Sequence, residues 1–162
     1  MALRMGLFGR FQGSTPLPYS WVISGSLAIG PMPRDATDWR QLELTGFRSR
    51  FSCCYLSEEI CPPPMQWTQA TVSLPDHRRQ EPLRPDRLQQ ALEQAEALVA
   101  SQPATYLHCM AGLERSPLVA TGLLARHHGI DVFEALQRIR LCHPRAMPLY
   151  SDLEVLAKVL EG

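Results

Sequence analysis

The sequence predicts one α/β domain: a central mixed sheet of four or five strands with helices on both faces. Three observations carry that expectation. Short runs rich in β-branched and aromatic residues, bounded by turn residues, fall at 21–29, 47–56 and 68–74. A long apolar stripe at helical spacing occupies 85–100. A short apolar strand at 104–107 passes through a five-residue loop into a further helix, and three helices in all follow that strand.

Taken in order, the chain supports each element. Residues 1–20 hold Arg4 and Arg10, several Gly and Pro, and no acidic residue, and read as a tail or leading loop before a domain over 21–162. Residues 21–23 and 27–29 flank Ser24-Gly25-Ser26, a hairpin signal. Residues 35–44 form a helix with Trp39 and Leu42 on one face, stopped by Gly46. In 47–56 neither face is clearly polar, which suits a strand covered on both sides. Ser57-Glu58-Glu59 can cap a short turn. Cys61-Pro62-Pro63-Pro64 excludes regular structure, and Trp67 is expected to pack at the rim of the site. Residues 68–74 make the next strand. In 85–100, Leu88, Ala91, Leu92, Ala95, Leu98 and Val99 form one stripe. After the loop, a helix over 117–128 has Ser116 as its cap and Pro117 at its first position, with Gly122 allowing close packing. Asp131 caps a helix through 140, and Ser151 is expected to cap the last one.

Composition narrows the function. A chain of 162 residues is long enough for one sizeable core. Zero formal net charge argues against a broadly basic nucleic-acid binder. No apolar run reaches the length of a membrane span. The five cysteines, Cys53, Cys54, Cys61, Cys109 and Cys142, are odd in number and match no paired zinc pattern, so a reducing compartment is expected. Cys142-His143 and His127-His128 read as polar helix ends rather than metal ligands.

The functional centre is His108-Cys109-Met110-Ala111-Gly112-Leu113-Glu114-Arg115-Ser116. Successive amides in a tight turn form an anion site, and the helix behind adds its positive end. Gly112 permits a close approach, and Arg115 offers a planar fork for two phosphoryl oxygens. Such a field favours the thiolate of Cys109, which Ser116 can stabilise by a hydrogen bond. A thiolate in an oxyanion cradle can attack phosphorus in line.

This H-C-x-x-G-x-x-R-S pattern, in its strand–loop–helix context, resembles the signature loop of the cysteine-based protein tyrosine phosphatases, and the small chain resembles their dual-specificity branch. The resemblance covers roughly residues 21–160 and implies that family's α/β architecture. It implies Cys109 as nucleophile, Arg115 and the amides of the loop residues Met110, Ala111, Gly112, Leu113, Glu114 and Arg115 as phosphate ligands, and no cofactor or metal. It also implies a general acid on a loop before the cysteine, often in a Pro-Asp pair. Pro75-Asp76 fits, with Glu81 as the fallback and Asp86, at a helix start, behind it. His108 is expected to fix the loop and tune the cysteine from the opposite face of the strand rather than to carry protons. Arg78 and Arg79 either steer an anionic substrate or are a solvated pair.

The expected activity is removal of phosphate from a phosphorylated protein, at phosphotyrosine and also at phosphoserine or phosphothreonine, by a monomeric cytoplasmic enzyme. Phosphoinositide, phosphoglycan and RNA 5′-end substrates stay open, as do a binding module without turnover and a sulfur-transfer enzyme. The loop has no lysine at 110, 111, 113 or 114, and Glu114 repels extra phosphates if it faces the pocket, which favours the protein substrate. Cys53 or Cys54 is a candidate partner for oxidised Cys109.

Overall fold

A computed structural model describes residues 15–162. Arg4 and Arg10, and most of the expected tail or leading loop, therefore lie outside the described residues. Packing begins before residue 21: Leu17 is buried, and its amide donates to Gln41 Oε1 at 2.9 Å.

Five strands form one sheet: β1 (Ser20–Ile23), β2 (Leu27–Pro31), β3 (Ser49–Ser52), β4 (Thr68–Thr71) and β5 (Thr105–Cys109). Their spatial order is β1-β2-β5-β3-β4. The β1–β2 hairpin is antiparallel and every other pairing is parallel, so the sheet is mixed as expected. β5 is central, and its carboxyl end delivers Cys109 to the edge where open α/β sheets bind ligands.

Alternation along the strands divides the core. Leu27, Ile29, Phe51, Leu107 and Cys109 face one layer, built with α2 (Pro85–Ser101), α3 (Arg115–His128), α4 (Val132–Cys142) and α5 (Tyr150–Glu161). Ala28 and Tyr106 face the other, which is covered by α1 (Ala36–Thr45) and a group of aromatic rings. Trp67 belongs here: its ring meets that of Trp39 edge-on at 5.0 Å and its indole donates to Glu43 Oε1 at 2.9 Å. It packs under α1, away from the cysteine, and not at the rim of the site. Its apolar body needs burial and its N–H needs an acceptor, and only that side supplies both.

α3 is buried over residues 115–125, because it lies between the sheet and the other helices of its layer. A Cβ on Gly122 would stand 2.5 Å from Leu92 Cδ2 and 2.9 Å from Leu156 Cδ1, so glycine lets these two leucine side chains pack directly against the helix backbone.

Several boundaries differ from the sequence reading. β3 and β4 are shorter than 47–56 and 68–74, although the amides of Cys53, Val72 and Leu74 still bond to neighbouring segments at 2.9–3.1 Å. Ser151 lies inside α5 rather than at its cap; the Leu149 carbonyl accepts from the amides of Asp152 and Leu153, which starts the helix at Tyr150. Ser116 likewise lies inside α3, which begins at Arg115 with no side-chain cap. Its hydroxyl is committed elsewhere, to the cysteine.

Candidate active site

The loop of residues 110–114 joins the end of β5 to the start of α3. Its carbonyls are held from outside. Met110 O accepts from the Met32 amide at 3.1 Å and Leu113 O from the Met147 amide at 2.6 Å. Gly112 O accepts from His143 Nε2 at 2.7 Å, while His143 Nδ1 accepts from Ser20 Oγ at 2.8 Å. In a trans peptide the next N–H points opposite to the carbonyl. Anchoring these three carbonyls outward therefore turns the amides of Ala111, Leu113 and Glu114 inward. The tightness has a cost that only glycine meets. Gly112 has φ +72°, and a Cβ there would stand 2.6 Å from Gly30 C and 2.8 Å from Pro31 N.

Cys109 Sγ lies 3.3 Å from Ser116 Oγ, at the amino end of α3. Arg115 is 3% exposed, so its direction is fixed by its partners. Nη1 and Nη2 meet the two oxygens of Glu58 at 2.9 Å each, end-on. Nη1 also donates to the carbonyls of Leu74 at 3.2 Å and Cys53 at 3.4 Å. That leaves the other edge of the fork, Nε and the second N–H of Nη2, for an anion in the cleft. Burial works against the charge of Arg115, and the Glu58 carboxylate together with the nearby Cys109 and Cys54 sulfurs outweighs it, holding the guanidinium's pKa above its ordinary value. Burial works against the charge of Glu58 too, and its bonds from Arg115 and the Tyr55 amide bring its pKa below the usual carboxylate range.

His108 is fully buried on the opposite face of β5 from Cys109. Its Nε2 accepts from Arg50 Nη1 at 3.1 Å, so the proton sits on Nδ1, 3.3 Å from the Cys109 carbonyl. Arg50 is paired in turn with Glu59 at 3.0 Å. Burial, and then the Arg50 charge, push the His108 pKa down to about 3. The shift favours the neutral ring, which Arg50 and the Cys109 carbonyl hold in place.

Asp76 lines the same cleft as Cys109, Met110, Ala111, Leu113, Glu114 and Arg115. Glu81 and Asp86 do not. Glu81 accepts from the Tyr55 hydroxyl at 2.7 Å in a neighbouring hollow, and Asp86 is paired with Arg84 on the surface of α2. Both fallback acids are thereby set aside. Both arginines after Asp76 already have partners at the mouth of the cleft. Arg78 binds Asp76 through Nε at 2.7 Å and through its amide at 3.0 Å, and reaches Glu58 with Nη2 at 2.9 Å. Arg79 lies over the Tyr55 ring at 3.3 Å from its centroid. Carboxylates within reach compete better for the Arg78 guanidinium than water does, and an aromatic face takes that of Arg79.

Glu114 faces the cleft and also the acid loop. It accepts from the His77 amide at 3.1 Å and contacts His77 Nδ1, so it ties the two loops together. Cys53 and Cys54 share the apolar layer with Cys109 and are free thiols. Burial, with the nearby Cys109, pushes the Cys53 thiol far up, and burial pushes Cys54 up to about 12. Neither is a primed resolving thiol. His143, read as a polar helix end beside Cys142, is instead a strut of the phosphate loop. Glu58 was read only as a turn residue. The partners of both lie far away in sequence, 57 residues for Glu58–Arg115 and 31 for His143–Gly112, which no local pattern exposes.

No protein-family model matches the chain, and no curated relative matches it. Solved structures do. PTPMT1 in complex with PI(5)P aligns with TM-score 0.76 at 21% identity over 88% of this chain and 94% of that one. The active form of Tk-PTP aligns at 0.72 and 23% identity, over 88% and 96%. Human DUSP28 aligns at 0.71 and 24% identity, over 91% and 97%. With a central strand that ends on Cys109 and a helix that opens on Arg115, this chain has the fold of the dual-specificity branch of the cysteine-based phosphatases.

Proposed function

We propose that this protein is a phosphomonoester hydrolase that works through a cysteinyl-phosphate, and that its substrates are phosphorylated proteins, at phosphotyrosine and also at phosphoserine or phosphothreonine. The observation that carries this reading is one cleft lined by both Cys109 and Arg115, with the buried Ser116 hydroxyl 3.3 Å behind the sulfur and one edge of the Arg115 fork left without a partner.

The reaction runs in two steps. The sulfur of ionised Cys109 attacks phosphorus and the bond from phosphorus to the ester oxygen breaks. The leaving oxygen takes a proton from Asp76. Asp76, now ionised, takes a proton from water as that water attacks phosphorus. The sulfur–phosphorus bond breaks, the thiolate returns and inorganic phosphate leaves. Ser116 donates to the departing sulfur. Arg115 and the inward amides hold the equatorial oxygens throughout.

Two features support a protein substrate. The cleft encloses only about 180 Å³, below the usual size of a small-molecule pocket, and suits a head group presented on a larger molecule. The loop side chains Met110, Ala111, Leu113 and Glu114 add no cation for further phosphates. The PI(5)P complex of PTPMT1 supports phosphoinositides as the second reading. We place the enzyme in the reducing cytoplasm on the strength of its five unpaired cysteines, and we take it to act as a monomer. Among the described residues no helix is long and apolar enough to cross a membrane.

Initial rates on phosphotyrosine, phosphoserine and phosphothreonine peptides, phosphoinositides and RNA 5′-triphosphate test this. Cleavage of peptides above the rest is expected, with loss of turnover but retention of peptide binding in Cys109→Ser. Faster cleavage of phosphoinositides would overturn the substrate assignment.

A further inference from the structure

Arg78 stands at the mouth of the Cys109 cleft with its side chain 53% exposed. It grips both oxygens of Asp76, one with its amide and one with Nε, and reaches Glu58 with Nη2. Among the described residues its Nη1 has no acceptor and remains on the solvent side.

A general acid has to carry a proton when the ester bond breaks. Asp76 is held as its carboxylate instead. Its burial favours the neutral acid, but the bonds from Arg78 and the charge of Arg115 bring its pKa below the ordinary value. The charged groups facing Asp76 come from three elements. Arg115 Nη2 lies 3.6 Å away at the start of α3. Glu58 opposes from the 3-10 turn over Leu56–Glu58. Cys109 shares the cleft from the end of β5, and Glu114 is occupied by His77. Arg115 is buried and pinned by Glu58, so Arg78 is the cation on Asp76 that can move.

On the reading that the protein is a phosphomonoesterase, we propose that Arg78 makes it selective for phosphoryl groups that have a second anion beside them. The second anion takes the exposed guanidinium, which leaves Asp76, and the carboxylate takes a proton from solvent. The phosphoryl dianion entering among two carboxylates and two guanidiniums favours the same protonation. The substrate class is a phosphopeptide with a carboxylate or second phosphate adjacent to the phosphorylated residue.

The test compares two phosphotyrosine peptides that differ only in Glu or Gln beside the phosphotyrosine, with p-nitrophenyl phosphate as a control whose leaving group departs without a proton. The wild-type protein should turn over the Glu peptide several-fold faster in kcat, with the alkaline limb of its pH profile at higher pH. Arg78→Gln should raise kcat on the Gln peptide to the level of the Glu peptide. Its alkaline limb should also rise, because removing the cation raises the pKa of an acid that must be protonated. Arg78→Lys should keep the preference. Equal wild-type rates on the two peptides, or an Arg78→Gln enzyme that is slower on the Gln peptide with its limb unmoved, would overturn the selectivity. Wild-type protein inert to p-nitrophenyl phosphate and to both peptides would instead overturn the phosphatase reading itself.

Discussion

Two loops meet over Cys109, and they are held in opposite ways. The phosphate loop is clamped by its backbone: three of its carbonyls bond to Met32, His143 and Met147, and Gly112 is wedged against Gly30 and Pro31. The acid loop is held by side chains: Asp76 by Arg78, His77 by Glu114, Arg79 by the Tyr55 ring. A backbone clamp gives one geometry, suited to groups that must not move as charge develops. Exposed ion pairs are worth little and exchange readily, suited to a loop that must release a proton donor. On the proposed function this divides the labour between a rigid anion cradle beneath and an adjustable proton source above.

Substitutions can break that contrast. The largest effect is expected at Gly112. Gly112→Ala puts a Cβ into the Gly30–Pro31 backbone at a positive φ, which costs about 2 kcal/mol or more. Turnover should vanish, and denaturant titration should show the loss of stability. Asp76→Asn should leave the fold intact. It should lower kcat on phosphotyrosine by about 100-fold or more and remove the alkaline limb, while p-nitrophenyl phosphate is affected far less. Equal losses on both substrates would show that Asp76 is not the acid. Glu58→Gln frees one edge of Arg115 and should lower kcat/KM by about tenfold, mostly through KM, read by steady-state kinetics.

The smallest effect concerns Asp152, on the first turn of α5. Burial, and then Glu114, push its carboxyl up to about 6 from 3.8. A carboxyl whose pKa is higher folded than unfolded costs stability as pH rises from 3.8 through about 6. Asp152→Asn should therefore stabilise the protein by about 1 kcal/mol above that window and leave it unchanged below, as thermal unfolding against pH would show.

The same contrast explains what the sequence displays. Residues 108–116 are legible because strand, glycine turn and helix start are local and contiguous, and each residue type answers a nearby need. The helix stripe from Leu88 to Leu98 and the Asp131 cap are legible for the same reason, whereas Asp35, read as the first residue of its helix, is its cap. Glu58, His143 and the Arg78–Asp76 bond are not, because each acquires its meaning from a partner that the fold brings in or from a rotamer that the cleft selects. Ser116 has two expected roles, helix cap and partner of the sulfur, and only the cap reading fails: its hydroxyl lies against the Cys109 sulfur and cannot also cap the helix. Trp67 misled because a proline-rich loop near the site gives no hint of which face of the sheet its last aromatic will cover.

The central claim is that the sulfur of Cys109 takes the phosphoryl group. Rapid acid quench during turnover of p-nitrophenyl phosphate by Asp76→Asn, which forms the intermediate without needing the acid but lacks the base that hydrolyses it, followed by peptide mass mapping, measures it directly. A phosphate on the Cys109 peptide, absent from Cys109→Ser, is the predicted result. Turnover at an undiminished rate in Cys109→Ser, or quenched enzyme with phosphate on another residue, would contradict it.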